Sequence, residues 1–359
     1  MCNFNKAVSV KNILPVSLIL FILISSVSHA QIGGGNTFAF LNNTSSARIA
    51  AMGGDFLTIS DNDITLAPSN PSLINPGMHN QLGVAYVDFY SDVNYGNATY
   101  SRTYDKVGSF VASLNYINYG KFQHADEAGN RNGEFNAGES AFSLGWGREL
   151  DSSFSIGANM KFIYSSFESY SSFGLAVDIA GSYRSDDRSF TASFIAKNIG
   201  RQLKTYNGGN NEPLPFELQL GLSKRLKHLP FRYSVLINHL EKWDLRYEDP
   251  SIQDTDPITG ETIAENEVEV FVDNMMRHVV FGGELLIGKN LSLRGGYNYR
   301  RRQELKVVSK TAMVGFSWGI GIRISKFHLN YSRSTYHLSG SPNYITLSTN
   351  LSDFFVKNN

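Results

Sequence analysis

Cysteine is almost absent from this 359-residue sequence, since the one cysteine is Cys2. Residues 1–30 have the layout of a secretory signal peptide, with Lys6 and Lys11 ahead of an apolar core at 16–24 and small residues at the end. Cleavage there would remove Cys2. We therefore expect an exported protein without a disulfide, a thiolate nucleophile or a cysteine-based metal site.

The sequence also lacks long apolar runs and any marked excess of one charge. The core at 16–24 is shorter than the roughly 20 apolar residues of a membrane-spanning helix, and no later stretch approaches that length. After residue 30 there are 30 basic and 32 acidic residues, a net charge of −2 with His neutral. That balance offers no basic excess for binding nucleic acid. Neither a linker nor an amphipathic helix long enough for a helical domain is evident.

What the sequence does have is alternation of apolar and polar residues at period two, beginning near Leu82. In the eighth such segment, Leu218 and Leu220 alternate with Glu217 and Gln219. A slip of one residue would turn the polar set toward the apolar side, so the register is strongly specified. The predicted strands are 81–90, 93–104, 107–119, 139–149, 153–168, 171–184, 189–199, 216–226, 231–240, 277–287, 291–302, 311–323, 326–336 and 343–351.

The connections between these segments alternate in length. Short turns follow even-numbered strands, and longer loops mostly follow odd ones, at 120–138, 200–215, 241–276, 303–310 and 337–342. This pattern predicts an all-β fold, a transmembrane antiparallel β-barrel of about 14 strands in a bacterial outer membrane. Short turns would face the periplasm and long loops the cell surface. A soluble β-sandwich is the alternative, but it would not need this parity.

Residues 31–80 show no strand alternation. Ser45 or Ser46 can cap a short helix that Gly53 ends in a left-handed conformation, and a second element is predicted at 61–66. We therefore predict three parts: a signal peptide at 1–30, an N-terminal hatch or plug at 31–80, and an outer-membrane β-barrel at 81–359.

No set of residues has the spacing of a catalytic or metal site. The histidines are scattered over strands and loops, without a repeated relation to nearby Ser and Asp. The segment 126–139 is rich in Asp, Glu, Asn and Gly, as calcium loops are, but lacks the alternating acids of an EF-hand. A solvated loop is the favoured interpretation there. We predict no enzymatic activity and no cofactor.

Several motifs carry a family resemblance. The hatch contains Ser-Ala-Arg-x-x-Ala-x-Gly-Gly at 46–54, then Asp-x-x-Leu at 63–66 and Asn-Pro-Ser-Leu at 70–73. This succession resembles the PorV/PorQ family, FadL-like outer-membrane barrels of the Bacteroidetes type IX secretion system. The loop at 126–139 and the segment Lys-Phe-Ile-Tyr-Ser-Ser at 161–166 look most like the PorQ branch.

The resemblance implies a fourteen-strand barrel with a hatch and a non-enzymatic role in type IX secretion. That role is to anchor the cell-surface cargo attachment (sortase) complex. The partners that the resemblance implies are a PorZ-like surface protein, a PorU-like sortase and a PorV-like barrel. We also expect the protein to contact membrane lipid and lipopolysaccharide. We predict that the long loops hold the partner through Asp126, Asn130, Phe135, Asp254, Asp256 and Glu261.

A FadL-like transporter of a small hydrophobic ligand is the alternative function. In that case Phe38, Phe40 and Leu41 could line a ligand site at the hatch. These three residues could equally pack the hatch against the barrel wall. A passive porin is a third class, which the plug-like N-terminal region disfavours.

Overall fold

The computed structural model describes residues 35–126, 128–246, 266–306, 313–337 and 340–355. The predicted signal peptide at 1–30 lies outside the described residues, as do Asp254, Asp256 and Glu261. None of the helices in the described ranges is long and apolar enough to cross a bilayer.

Fourteen strands form a closed barrel in which neighbours pair antiparallel and β1 pairs with β14. The predicted fold class and strand number are therefore confirmed. The strands are β1 Gln81–Asp88, β2 Asn94–Tyr104, β3 Gly108–Ala125, β4 Arg131–Glu149, β5 Phe154–Phe167, β6 Tyr170–Arg184, β7 Phe190–Lys204, β8 Glu217–Arg225, β9 Phe231–Ile237, β10 Val279–Ile287, β11 Leu291–Asn298, β12 Phe316–Ile324, β13 Phe327–Ser334 and β14 Asn343–Asn350.

The two faces of the barrel wall follow the predicted alternation. On β8, Glu217 and Gln219 are buried toward the lumen, whereas Leu222 is exposed on the outer surface. The other strands also expose apolar side chains, among them Val84, Leu114, Phe162, Ile179, Phe194 and Leu329. An outward apolar band around a polar interior is the arrangement that a barrel in lipid requires.

Connection lengths define two ends of the barrel. Connections after even-numbered strands contain two to five residues, and those longer than five, at 205–216, 238–278, 299–315 and 335–342, follow odd-numbered strands. We call these the short-turn end and the long-loop end. The predicted parity of short and long connections is present in the structure.

The hatch consists of short helical turns linked by extended segments. Helix α1, Ala47–Ala51, is preceded by a 3₁₀ turn at Ala39–Asn42 and followed by turns at Ile64–Leu66, Pro71–Leu73 and Pro76–Met78. Ser46 is the N-cap residue, but its hydroxyl bonds Thr65 Oγ1 at 3.0 Å instead of capping a backbone N–H. Gly53 follows the helix with φ +111°, as the sequence predicted.

The hatch packs against the inner wall of the barrel. Its turn at Pro71–Leu73 contacts β4, β5 and β6, and α1 contacts β11 to β14. Glycine makes this approach possible on β5, where a Cβ at Gly157 would overlap the Pro71 carbonyl. The hatch is thereby held close to strands that lie far away in sequence.

The prediction of a loop at 120–138 is wrong. Strands β3 and β4 continue through most of it and leave only a turn at 126–130. Phe122 pairs with Phe135, and their rings stack at 5.3 Å, which supports the hairpin beyond the body of the barrel. The Asp, Asn and Gly content indicated a loop, but pairing between β3 and β4 extends both strands through most of this segment. Strand β7 likewise continues to Lys204.

Two helices replace structure that the sequence predicted as strand or loop. Helix α2, Glu267–Arg277, occupies part of the predicted loop 241–276, and helix α3, Tyr299–Leu305, replaces the end of the predicted strand 291–302. Both have an asparagine N-cap: Asn266 accepts from Val268 N, and Asn298 accepts from Arg301 N. A short helix α4, Ser352–Phe355, follows the last strand.

Candidate functional site

A buried ionic network joins the hatch to the barrel. Arg48 on α1 lies within 3.0 Å of Asp63 Oδ2 and within 2.7 Å of Asp61 Oδ2, both in the hatch. The same guanidinium donates from Nη2 to Glu284 Oε2 on β10 at 3.0 Å. Because Arg48 holds two hatch carboxylates and one wall carboxylate together, it links α1 to both parts of the molecule.

Glu284 is the centre of this network on the wall side, and it is fully buried. Arg232 on β9 donates to it at 3.0 Å, and Arg294 on β11 donates at 2.7 Å. Arg294 also donates to Asn330 Oδ1 on β13 at 2.7 Å. Three arginines therefore surround one carboxylate, and Asp61 and Asp63 supply the remaining negative charge.

The sequence did not single out this network as a site. Arg48 stood in the hatch motif, and Arg294 stood on the polar face of the eleventh predicted strand. The missing information was which strands are neighbours at which register, since Glu284 faces Arg232 and Arg294 in the two ladders. Polar faces with opposite charges on consecutive strands were the available signal.

The predicted hatch residues Phe38 and Phe40 are buried. They pack in an apolar cluster that includes Ile117 and Ile163 on the barrel wall and Tyr344 on β14. Leu41 is half-buried at the edge of this cluster and, with Phe40, borders a cavity of about 30 Å³. Pockets for drug-sized ligands are about ten times larger or more. This geometry agrees with packing of the hatch against the wall.

Of the docking residues predicted in the segment 120–138, Asp126 and Asn130 lie at the tip of the β3–β4 hairpin. Asp126 accepts from the Asn130 backbone at 2.8 Å and from its side chain at 3.0 Å. These hydrogen bonds lower the pKa of Asp126. Phe135 lies on the adjoining strand against Phe122. The tip is therefore a tight, ordered turn that the structure places at the long-loop end.

Helix α2 presents an apolar stripe away from the protein. Val268, Phe271, Val272 and Met275 have the i, i+3, i+4, i+7 spacing of one helix face, and all four are exposed. We call these four residues the apolar stripe. Trp243 is exposed beside it, with its ring 5.3 Å from that of Phe271.

The opposite face of α2 is attached to the barrel end. Asn274 is buried and accepts from Leu245 N at 3.3 Å. Asp273 accepts from Arg277 Nε at 2.6 Å and from the Tyr299 hydroxyl at 2.7 Å. A surface helix ordinarily buries its apolar face, so this inverted arrangement is a mark of an interaction surface.

Within the described ranges, no group of three His, Cys, Asp or Glu side chains could hold a metal ion. The buried His278 uses both ring nitrogens for structure, at 2.7 Å from Asn238 O and 3.0 Å from Trp243 O. Its ring also stacks on Trp243. His278 therefore supports the base of the apolar stripe.

Comparison with known protein families decides which group the chain belongs to. The family described as "Type IX secretion system protein PorV" matches residues 29–227, more than half of the chain. The chain belongs to the PorV family. The family resemblance found in the hatch motifs is thereby confirmed, and membership implies an outer-membrane component of the type IX secretion system.

Solved structures similar to this PorV-family chain support the fold. The P. putida toluene transporter TodX matches with a TM-score of 0.53 at 13% identity, covering 87% of this chain and 99% of TodX. The TodX deltaS2S3 mutant monoaromatic hydrocarbon channel matches with a TM-score of 0.51 at 12% identity, covering 85% and 99%. At 12–13% sequence identity, this similarity shows a shared fold and nothing about function. Curated protein sequences give no match.

Proposed function

We propose that this PorV-family protein is a non-enzymatic anchor for the cargo attachment complex of the type IX secretion system. In this proposal the long-loop end faces the cell surface and holds a partner protein, with a PorZ-like surface protein as the candidate. The barrel, with its hatch fixed in the lumen, serves as the membrane base. The expected neighbours are a PorU-like sortase and a second, PorV-like barrel.

The exposed apolar stripe on α2 is the observation that carries this proposal. It lies at the long-loop end, where four apolar side chains and Trp243 face outward on a helix whose polar face is fixed to the barrel. Exposed apolar groups of this kind become favourable when a partner covers them. Family membership supports a protein of the secretion system as that partner.

The β3–β4 hairpin supplies a second part of the proposed docking surface. Its tip carries Asp126 and Asn130 in a preformed turn, and the stacked pair Phe122 and Phe135 stiffens the strands below it. A preformed loop loses little conformational entropy on binding. The predicted contributions of Asp254, Asp256 and Glu261 belong to the same proposal.

The test is an affinity pull-down from detergent-solubilised outer membranes through a C-terminal tag, with mass spectrometry of proteins and lipids. We expect the wild-type barrel to recover a large surface partner and a sortase-like protein. The double variant Phe271→Asp, Met275→Asp is expected to lose the surface partner while the barrel remains folded. Glu269→Gln, an exposed change on α2 outside the stripe, is the matched control and should retain it.

A deletion of 250–270 extends the test, because it also removes Val268 from the stripe. It is expected to release the partner without unfolding the barrel. Retained binding by both the deletion and the double variant would contradict the docking surface. Recovery of the barrel alone, with a stoichiometric hydrophobic ligand, would overturn the anchor proposal in favour of transport.

A further inference from the structure

A small interior cavity separates the hatch from the barrel wall on the side away from the Arg48 network. It has a volume of about 50 Å³. The hatch contributes Thr44 and Asp55 to its lining, and the wall contributes Ser143, Lys161 and Lys197. A cavity of this size has room for a few waters, or for one small ion with water.

A β-bulge on β7 adds Asn198 to the inward side chains, next to Lys197, which faces inward by regular alternation. Val177 pairs with Ile199 and Ile179 pairs with Ala196, so Asp178 on β6 stands opposite two residues, Lys197 and Asn198. Both of these side chains are buried. Two consecutive inward side chains would be impossible in a regular strand, where neighbours point to opposite faces.

Lys161, the first of the two lysines, has its charge balanced. Its ammonium lies 2.7 Å from Asp178 Oδ2 and donates to Asn198 Oδ1 at 2.8 Å. The second carboxylate oxygen of Asp178 accepts from the Asn198 backbone N–H at 2.8 Å. Asn159 Nδ2 also donates to Asp178 Oδ2 at 3.4 Å, so both oxygens of Asp178 already have partners other than Lys197.

Lys197, the second lysine, has no such partner. Its side chain is only 7% exposed, and no hydrogen bond or ion pair reaches its ammonium in the described part of the chain. Its cross-strand neighbour Glu217 instead accepts from Gln219 Nε2 at 2.8 Å and lies 3.6 Å from His239 Nε2. Because Lys197 lines the cavity and contacts no carboxylate of the described residues directly, a counter-charge bound in the cavity would be favourable.

The hatch side of the cavity carries a second unsatisfied group. The Thr44 hydroxyl is buried and has no hydrogen-bond partner. A cation on the wall and a hydroxyl donor on the hatch therefore line the same small space. An anion would accept hydrogen bonds from both groups and balance the charge of Lys197.

We propose that this cavity binds one small inorganic anion of about the size of chloride, held by Lys197 and Thr44. The bound ion adds a second link between hatch and wall, beside the one that Arg48 makes. Asp55 also lines the cavity, and water-mediated pairing of Lys197 with Asp55 is the competing arrangement. The inference is independent of the proposed anchoring function.

Thermal unfolding of the purified, folded barrel in detergent tests the proposal. We expect the Tm of the wild type to rise saturably with sodium chloride, relative to sodium gluconate at equal ionic strength, because an ion bound only by the folded state stabilises it. Lys197→Met should abolish this difference, and Thr44→Val should reduce it. Lys204→Met, which changes an exposed lysine on the same strand, is the matched control and should leave it intact.

The variant Asp55→Asn distinguishes a bound anion from a water-mediated pair of Lys197 and Asp55. An ion held by Lys197 keeps the chloride dependence in this variant, whereas a water-mediated pair predicts no chloride dependence and equal destabilisation by Asp55→Asn and Lys197→Met. Crystals grown in bromide provide a readout that needs no variant, should Lys197→Met fail to fold. An anomalous peak beside Lys197 is expected, and a cavity without one would overturn the proposal.

Discussion

At the residue scale, Arg48 does more for the architecture than its place in a short motif indicates. It is nearly buried and contacts two hatch carboxylates together with Glu284 on the wall. A buried charge pair is not in itself proof of stability, because desolvation offsets much of the attraction. Its value here is geometric, because one wall carboxylate, Glu284, fixes the positions of arginines from α1, β9 and β11.

Replacing the central carboxylate should therefore be costly. Glu284→Gln leaves Arg48, Arg232 and Arg294 without the carboxylate that they share, and we expect a loss of about 3–5 kcal/mol in the free energy of unfolding. Denaturant unfolding of the barrel in detergent or lipid measures it. Glu149→Gln breaks the more exposed pair with Arg184 and should cost about 1 kcal/mol or less. Equal losses in the two variants would contradict the central role of Glu284.

At the element scale, α2 shows how a helix can be anchored by its polar face. Burial acts to raise the pKa of Asp273, but hydrogen bonds from Arg277 and Tyr299 outweigh it, so the pKa lies below its ordinary value. A carboxyl group whose pKa is depressed in the folded state stabilises that state above the unfolded pKa, which is about 3.9 for Asp. This stabilisation is lost as the pH falls through the folded value.

We therefore expect α2 to detach from the barrel end in acid, below about pH 4. Trp243, which contacts Phe271 and stacks on His278, can report the change by its fluorescence. Asp273→Asn should weaken the attachment at neutral pH and remove this part of the acid dependence. Identical pH profiles for the two proteins would show that Asp273 does not hold the helix.

At the scale of the whole molecule, the hatch and the barrel act as one unit. Contacts from α1 and from the turn at Pro71–Leu73 reach seven strands of the wall, and the Arg48 network adds an ionic link. An interior filled in this way is typical of plugged barrels and differs from the water-filled channel of a porin. The lumen should therefore be closed to ions in the resting protein.

Planar-bilayer recordings test this expectation. The wild type should show no steady porin-like conductance, while Arg48→Met, which uncouples α1 from Glu284, should show intermittent openings. Glu149→Gln, at the short-turn end and outside the network, should stay closed like the wild type. A steady conductance in the wild type would mean that the hatch leaves an open path.

The sequence determined the local features of this protein. Period-two alternation defined fourteen strands and their lipid-facing side, because the side-chain direction along a strand depends only on position parity. The parity of connection lengths gave the two ends. Ser46 and Gly53 located the two ends of α1, although the Ser46 hydroxyl bonds Thr65 instead of capping the helix. The hatch motifs gave the family.

The tertiary structure decided everything that depends on which strands meet. Pairing of Phe122 with Phe135 turned a predicted loop into a hairpin, and the bulge opposite Asp178 turned Asn198 toward the lumen beside Lys197. The contacts of Arg48 with Glu284 join residues 236 positions apart. The outward direction of the apolar stripe likewise follows from what the other face of α2 contacts. Such pairings are non-local, so no window of sequence contains the interactions that select them.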